Sequence, residues 1–265
     1  MFFPSPQSIP LSLCFILLSM MSKLSAEAHV FLLAGQSNMA GAGLFEKLKK
    51  SEQRPPENVK IWHDNQWTEL GPGISANKGK FGPELAFGRA MQREFPEDKI
   101  YLIKTAAGGT SMHKHWKLED GRGVMLRKFL AQSRTALADL DEKNEKYTIE
   151  AMLWMQGESD ADQGEGAKYE TRLRDFIKEM RRHFKQRELP FIMGRILPTF
   201  DKPAGNGPMV RAAQETVAED MKNVACFDTD DFPRINKGHY NHKGQLKMGE
   251  TFAKHFLLIV HEKNS

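Results

Sequence analysis

Cysteine is nearly missing from this 265-residue chain: only Cys14 and Cys226 are present, and Cys14 lies in an N-terminal apolar segment. The folded part therefore keeps one thiol, which excludes an internal disulfide framework and leaves packing to supply stability. A large charge of one sign is missing too. The 38 Lys and Arg are interspersed with 34 Asp and Glu, for a net charge of +4. No basic stripe forms, so nucleic acid is not an expected partner. The most apolar run, Ile9 to Met21, falls short of the roughly 20 residues that span a bilayer, so no stable membrane insertion is expected. Internal repeats and low-complexity tracts are absent. What is present, 40% hydrophobic and 27% charged residues, describes a globular chain with one large core.

Residues 1–28 read as a secretory signal: the apolar run is followed by "SKLSAEA", in which Ala26 and Ala28 have A-x-A spacing. That reading gives a mature domain over 29–265 in a secreted or periplasmic protein. A start at Met20 or Met21 would instead give a cytosolic one.

From residue 29 onward, short β-rich runs alternate with segments of helical period. Strands are expected at 30–35, 60–64, 100–106, 150–156, 190–197 and 224–228, with a turn at "HDNQW" inside an inserted hairpin. Apolar stripes at 126, 129, 130, 137 and 140, and from Tyr169 to Phe184, predict core-facing helices, and a closing helix carries Leu246, Phe252 and Phe256. The alternation predicts a mostly parallel sheet covered by helices on both sides.

In such sheets ligands bind beyond the carboxyl ends of the strands, and the residues there are reactive or permissive. Gln36, Ser37 and Asn38 follow the first strand, Gly108 and Gly109 a later one, and Gln156, Gly157 and Glu158 another; His239 lies near the C-terminus. A serine hydroxyl is a weak nucleophile unless a base takes its proton, and the base needs a group that fixes its tautomer. Ser37 fits the nucleophile and His239 the base. The backbone N–H groups of Ser37 and of Gly108 or Gly109 can receive an oxyanion, since glycine permits close approach. If extended geometry persists past the strand, Gln156 and Glu158 point to one side. Gln156 then donates to the oxyanion while Glu158 faces the histidine. The bland alternatives are a helix cap for Ser37, a surface loop for His239, turn geometry for the glycines and a buried loop-tying amide for Gln156.

"GQSNMAG", "GGTS", "WMQGESDAD" and "HYNHKGQ", in that order, resemble the blocks of the sialate O-acetylesterase domain family, a branch of the SGNH hydrolases that includes carbohydrate esterase family six. The resemblance runs from about residue 29 to the C-terminus. It implies a flavodoxin-like three-layer α/β/α sandwich with a mostly parallel central sheet, and removal of acetyl groups from O-acetylated carbohydrate, sialic acid and xylan both being allowed, with no cofactor and no metal. By motif, Ser37 is the nucleophile, His239 the base, and Gln156 with Glu158 the block that often reads "HQGESD". Met39 stands where the G-x-S-x-G elbow of α/β-hydrolases needs glycine.

Two departures stand out. The family's D-x-x-H aspartate is Asn236 here, and Met155 replaces the histidine before the QGE block. Asparagine can orient imidazole but carries no charge, so Glu158 is the first expected partner of His239 and Asp231 the second. Gln36, Asn38 and His115 are expected in substrate binding, with His113 and Trp116 as further pocket candidates. Zinc ligation by His113 with His115, or by His239 with His242, lacks a complete ligand set. Trp154 reads as core, and Arg195 as either a structural rim group or a substrate contact. Besides the serine esterase, two other classes stay open: a catalytically impaired carbohydrate-binding homologue, and a metal-dependent hydrolase.

Overall fold

The computed structural model describes residues 27–74, 79–119 and 122–263. The signal reading and Cys14 fall outside them. The first strand, β1 (Ala28–Gly35), begins with a fully buried Ala28. After it come α1 (Ser37–Ala40), β2 (Gly43–Leu44), β3 (Val59–His63), β4 (Gln66–Glu69), β5 (Lys80–Phe81), α2 (Glu84–Glu94) and β6 (Lys99–Ala106). The second half contributes α3 (Val124–Glu142), β7 (Tyr147–Met155), α4 (Glu158–Asp162), α5 (Gly166–His183), β8 (Phe191–Gly194), α6 (Asn206–Asp220), β9 (Val224–Phe227) and α7 (His242–Lys263). The expected strands are all found. The hairpin is found as well, closing at Asp64 and Asn65, both at positive φ (46° and 57°). That is the type I′ geometry whose twist matches its strands.

Seven strands form one sheet in the order β4-β3-β6-β1-β7-β8-β9, parallel except for the β3–β4 hairpin at its edge. Helices cover both faces, making an α/β three-layer fold. On one face Phe31 of β1 meets Phe87 of α2 and Phe256 of α7 edge-on, and Phe227 of β9 meets Phe252 of α7. On the other, Trp154 of β7 packs on Phe176 of α5 and on Trp116, which reaches Phe129 of α3. Trp154 is thus core, as its place within a strand implied. Trp116, a pocket candidate by sequence, is fully buried and packed in the core too.

The strand order also places the site. The chain leaves β1 for the β3–β6 side, then crosses from β6 to β7 on β1's opposite flank. The crevice of an open parallel sheet lies where the order reverses in this way, outside the carboxyl ends of the strands. The turns after β1, β6 and β7, which carry Ser37, Gly108 and Gln156, all emerge there.

Candidate active site

Ser37 opens the short helix α1, immediately after β1 turns at Gly35. Gly35 has φ +152°, and a Cβ there would sit 2.1 Å from the Met155 carbonyl oxygen. Only glycine lets β1 lie this close to β7 while the chain swings into the helix. Gly108 lies beside the serine: its Cβ, were there one, would be 3.7 Å from that of Ser37. Gly109 holds the turn at φ +72°. Among the described residues the N–H groups of Ser37, Gly108 and Gly109 donate to no protein acceptor.

Asn38 joins this turn to the histidine loop. Its Nδ2 donates to the carbonyl oxygen of Gly238 at 3.0 Å, and its Oδ1 accepts the N–H of Tyr240 at 3.4 Å. The residue after Ser37 therefore grips both neighbours of His239. The loop is braced further by a bridge between Arg234 and Tyr240 and by the Tyr240 hydroxyl, which donates to Thr229 Oγ1 at 2.6 Å. Ser37 and His239 are each half-buried, and neither Ser37 Oγ nor His239 Nε2 is occupied by another protein group among the described residues. They make no hydrogen bond to each other, and catalytic pairs often close to bonding distance only around substrate.

The imidazole is oriented by Asn236. Its Oδ1 accepts the N–H groups of Gly238 and His239, both at 2.9 Å, and lies 3.1 Å from His239 Nδ1. Two backbone donors identify that atom as the oxygen, so Nδ1 must donate to it and Nε2 carries the free lone pair. Burial, aided by the positive charge of Lys80, holds the imidazole below its ordinary pKa. That favours the neutral form a base needs.

Glu158 makes no hydrogen bond to the histidine. Its Oε1 accepts from Asn38 Nδ2 at 2.8 Å, and Oε2 is buried without a partner. Removal from water pushes its carboxyl up to about 7, with Asp160 and Asp162 adding to the effect against the hydrogen bond from Asn38. Asp231, the second expected partner, is exposed and paired with Lys247 at 2.7 Å. The expected common side for Gln156 and Glu158 fails because β7 ends at Met155 and Gly157, at φ +141°, redirects the chain into α4.

Gln156 is the clearest correction. It is fully buried, with Nε2 within reach of Asp160 Oδ2 (2.7 Å), the Thr110 carbonyl (3.1 Å) and Gln36 Oε1 (3.2 Å). Its Oε1 accepts from Tyr169. Both amide hydrogens are used inside the protein, so none remains for an oxyanion. Asp160 also accepts the N–H groups of Met112 and His113, which ties the glycine loop to the end of β7. The amides of Gln36 and Asn38, expected in substrate binding, are also engaged within the protein, Gln36 through its oxygen and Asn38 on both sides. Gln36 Oε1 accepts the N–H of Ser159 at 3.2 Å as well as Gln156, and the Asn38 amide is fully engaged between Glu158 and the histidine loop.

Other candidates divide. His115 is half-buried; its Nδ1 accepts the N–H of Ser111 at 3.0 Å, leaving Nε2 for outside contact. His113 turns away to Arg172 and Glu165. Arg195 is a structural rim group, paired with Asp228, Asp230 and Glu215. Met155 is fully buried against Gly194, in the core. Cys226 is a free thiol whose pKa burial pushes up to about 12. Among the described residues no three His, Cys, Asp or Glu side chains cluster tightly enough to hold a metal ion.

A family model described as carbohydrate esterase, sialic acid-specific acetylesterase, matches residues 27–258. An Arabidopsis thaliana protein named a probable carbohydrate esterase is 26% identical over 250 residues, covering 86% of this chain and 90% of that protein. The solved structure of an Arabidopsis thaliana protein superimposes with a TM-score of 0.73 at 24% identity, over 87% of this chain and 98% of the other. NanS superimposes with a TM-score of 0.68 at 14% identity, over 90% and 99% of the two chains.

Proposed function

This chain belongs to the sialic acid-specific acetylesterase family of carbohydrate esterases, and we propose that it removes O-acetyl groups from sugars through a serine-bound acyl intermediate. Ser37 Oγ attacks the acetyl carbonyl carbon while His239 Nε2 takes the hydroxyl proton. The tetrahedral oxyanion accepts from the N–H groups of Ser37 and Gly108. As the intermediate collapses, His239 returns the proton to the departing sugar oxygen. Water then attacks the acetyl-serine, giving its proton to His239, and acetate leaves with Ser37 restored. Asn236 holds the tautomer throughout, and Gln156 and Asp160 fix the loops from within the protein. The observation that supports this reading is the Asn38 amide, which ties the turn after β1, carrying Ser37, to the loop that carries His239.

Acetate release from 4-nitrophenyl acetate and from acetylated sugars, by the wild type and Ser37→Ala, tests it. The alanine variant is expected to lose activity with or without EDTA; undiminished hydrolysis refutes the serine. One observation favours a second reading: the imidazole's partner carries no charge, as in a catalytically impaired carbohydrate-binding homologue. Glycan binding without any acetate release supports that alternative.

A further inference from the structure

The proposed relay leaves one buried ion pair unused. Lys104 of β6 and Glu84, the first residue of α2, meet at 2.6 Å with side chains only 2% and 1% exposed. Such a pair is a poor source of stability: both ions lose their water, and well-packed apolar residues in their place are often as stable or more so. Removing one partner alone is strongly destabilising, because the other charge is left buried.

The pair instead secures the far end of α1. Lys104 Nζ also donates to the carbonyl oxygen of Ala40, the last residue of that helix, at 3.0 Å. Glu84 Oε1 accepts the N–H of Gly82 at 2.9 Å. A methyl group on Gly82 would come within 2.5 Å of Glu84 Oε2, 2.8 Å of Lys104 Nζ and 2.9 Å of the Met39 carbonyl oxygen, so the pair, α1 and the turn before α2 converge on one point. The four residues of α1 are far fewer than the roughly 12–15 at which a helix persists by itself. The last carbonyls of a helix also lack partners within it. The direction of α1 is therefore set from outside. An ammonium group suits this place because it donates to a carbonyl and a carboxylate together; an apolar side chain of the same size cannot.

That direction bears on the chemistry because Ser37 opens α1. Lys104 stands on β6, whose continuation carries Gly108. Its side chain thus joins the two segments that supply the proposed oxyanion donors, one N–H from Ser37 and one from Gly108.

We infer that Lys104 and Glu84 are positioning residues for the ester hydrolysis, fixing α1 against β6 and with it the spacing of the two oxyanion donors. The inference rests on the esterase reading above and adds residues that act on the substrate only through Ser37. Donors aimed at an oxyanion favour the transition state over the bound ester, so their misplacement lowers kcat and spares KM.

Two variants test this from different directions. Lys104→Met combined with Glu84→Gln removes both charges at nearly constant volume and keeps an acceptor for the Gly82 N–H. Gly82→Ala retains both charges and presses a methyl group against them. In each, kcat for 4-nitrophenyl acetate should fall by about tenfold or more while KM stays within about twofold. Affinity for phenylboronic acid, whose boron bonds the serine oxygen to give a tetrahedral anion, should fall by a similar factor. A pair that merely held the fold together would lower the melting temperature and leave kcat and boronate affinity of the folded molecules unchanged. The inference is overturned by wild-type kcat in either folded variant, by a rise in KM in place of a fall in kcat, or by unchanged boronate affinity. Where the double variant yields no folded protein, Gly82→Ala decides. Failure of the esterase reading shows separately, as undiminished 4-nitrophenyl acetate hydrolysis by Ser37→Ala.

Discussion

Replacing Asn236 by aspartate supplies the charge that the proposed base lacks, and the effect can be sized from the structure. The carboxylate oxygen retains the acceptor position 3.1 Å from His239 Nδ1 and keeps both backbone donors at 2.9 Å, so the loop is preserved. During attack the imidazole becomes cationic. Opposite charges about 4 Å apart attract by about 1 kcal/mol in water and about 4 kcal/mol near a shielded protein surface. Asn236 is exposed and His239 half-buried, which favours the lower part of that range. A gain of about 1–2 kcal/mol corresponds to a rise in kcat/KM of roughly 5- to 30-fold. This is well below the roughly 10⁴-fold span of the equivalent exchange at the buried triad of a serine protease.

The same charge raises the imidazole's pKa, against the lowering by burial and Lys80. The acidic limb of the kcat/KM profile, where the base becomes protonated, should therefore move to higher pH by about one unit. The gain is fully present above both pKa values and shrinks as pH falls through the raised one. High salt should reduce it, because the pair is exposed. The assay is acetyl ester hydrolysis from pH 5 to 9 at low and high salt. A folded variant with an unmoved limb and no gain at pH 8 refutes the assignment of Asn236 as the group facing the imidazole.

Glu158→Gln keeps the acceptor for Asn38 but removes a carboxyl whose pKa is about 7 in the folded protein against an ordinary 4.5. Because the fold holds that proton more tightly, wild-type stability through this group falls by about 3 kcal/mol as pH rises from about 4.5 to about 7, and stays lower above it. Urea unfolding should show the variant gaining on the wild type between pH 5 and pH 8; a pH-independent difference contradicts the burial of this group. Gln156→Ala should destabilise by about 2–4 kcal/mol, since buried Asp160 and the Thr110 carbonyl each lose a donor while the Tyr169 hydroxyl keeps the backbone carbonyl of residue 156 at 2.9 Å. A catalytic defect at unchanged melting temperature would restore an oxyanion role. Gly35→Ala places a methyl 2.1 Å from the Met155 carbonyl and should abolish soluble folded protein in expression trials. Gly108→Ala meets Ser37 only at 3.7 Å and should fold normally, as thermal melting can check.

Strand positions were legible because a parallel sheet demands continuous apolar runs, and "VFLLAG" and "IYLIKTA" are such runs. The hairpin was legible for another reason: Asp64 and Asn65 are residue types that tolerate the left-handed turn. The partner of the imidazole was harder. Spacing pointed straight at Asn236, but its missing charge diverted the expectation to Glu158, whose own position depended on a strand continuing past Met155. Gly157 ends that continuity, and a glycine between two polar residues was the available warning. Gln36, Asn38 and Gln156 carry the same amides whether they hold substrate or hold loops. Burial distinguishes the two uses, and burial of a polar residue depends on the neighbours that the whole fold assembles around it.

Asn38 has a consequence for motion. Because a single carboxamide clasps both peptide groups that border His239, the proton acceptor cannot drift without tugging on the turn that presents the alcohol. The two halves of the proposed relay ride as one piece, so thermal loosening at this edge should silence hydrolysis in a single step instead of degrading it by degrees.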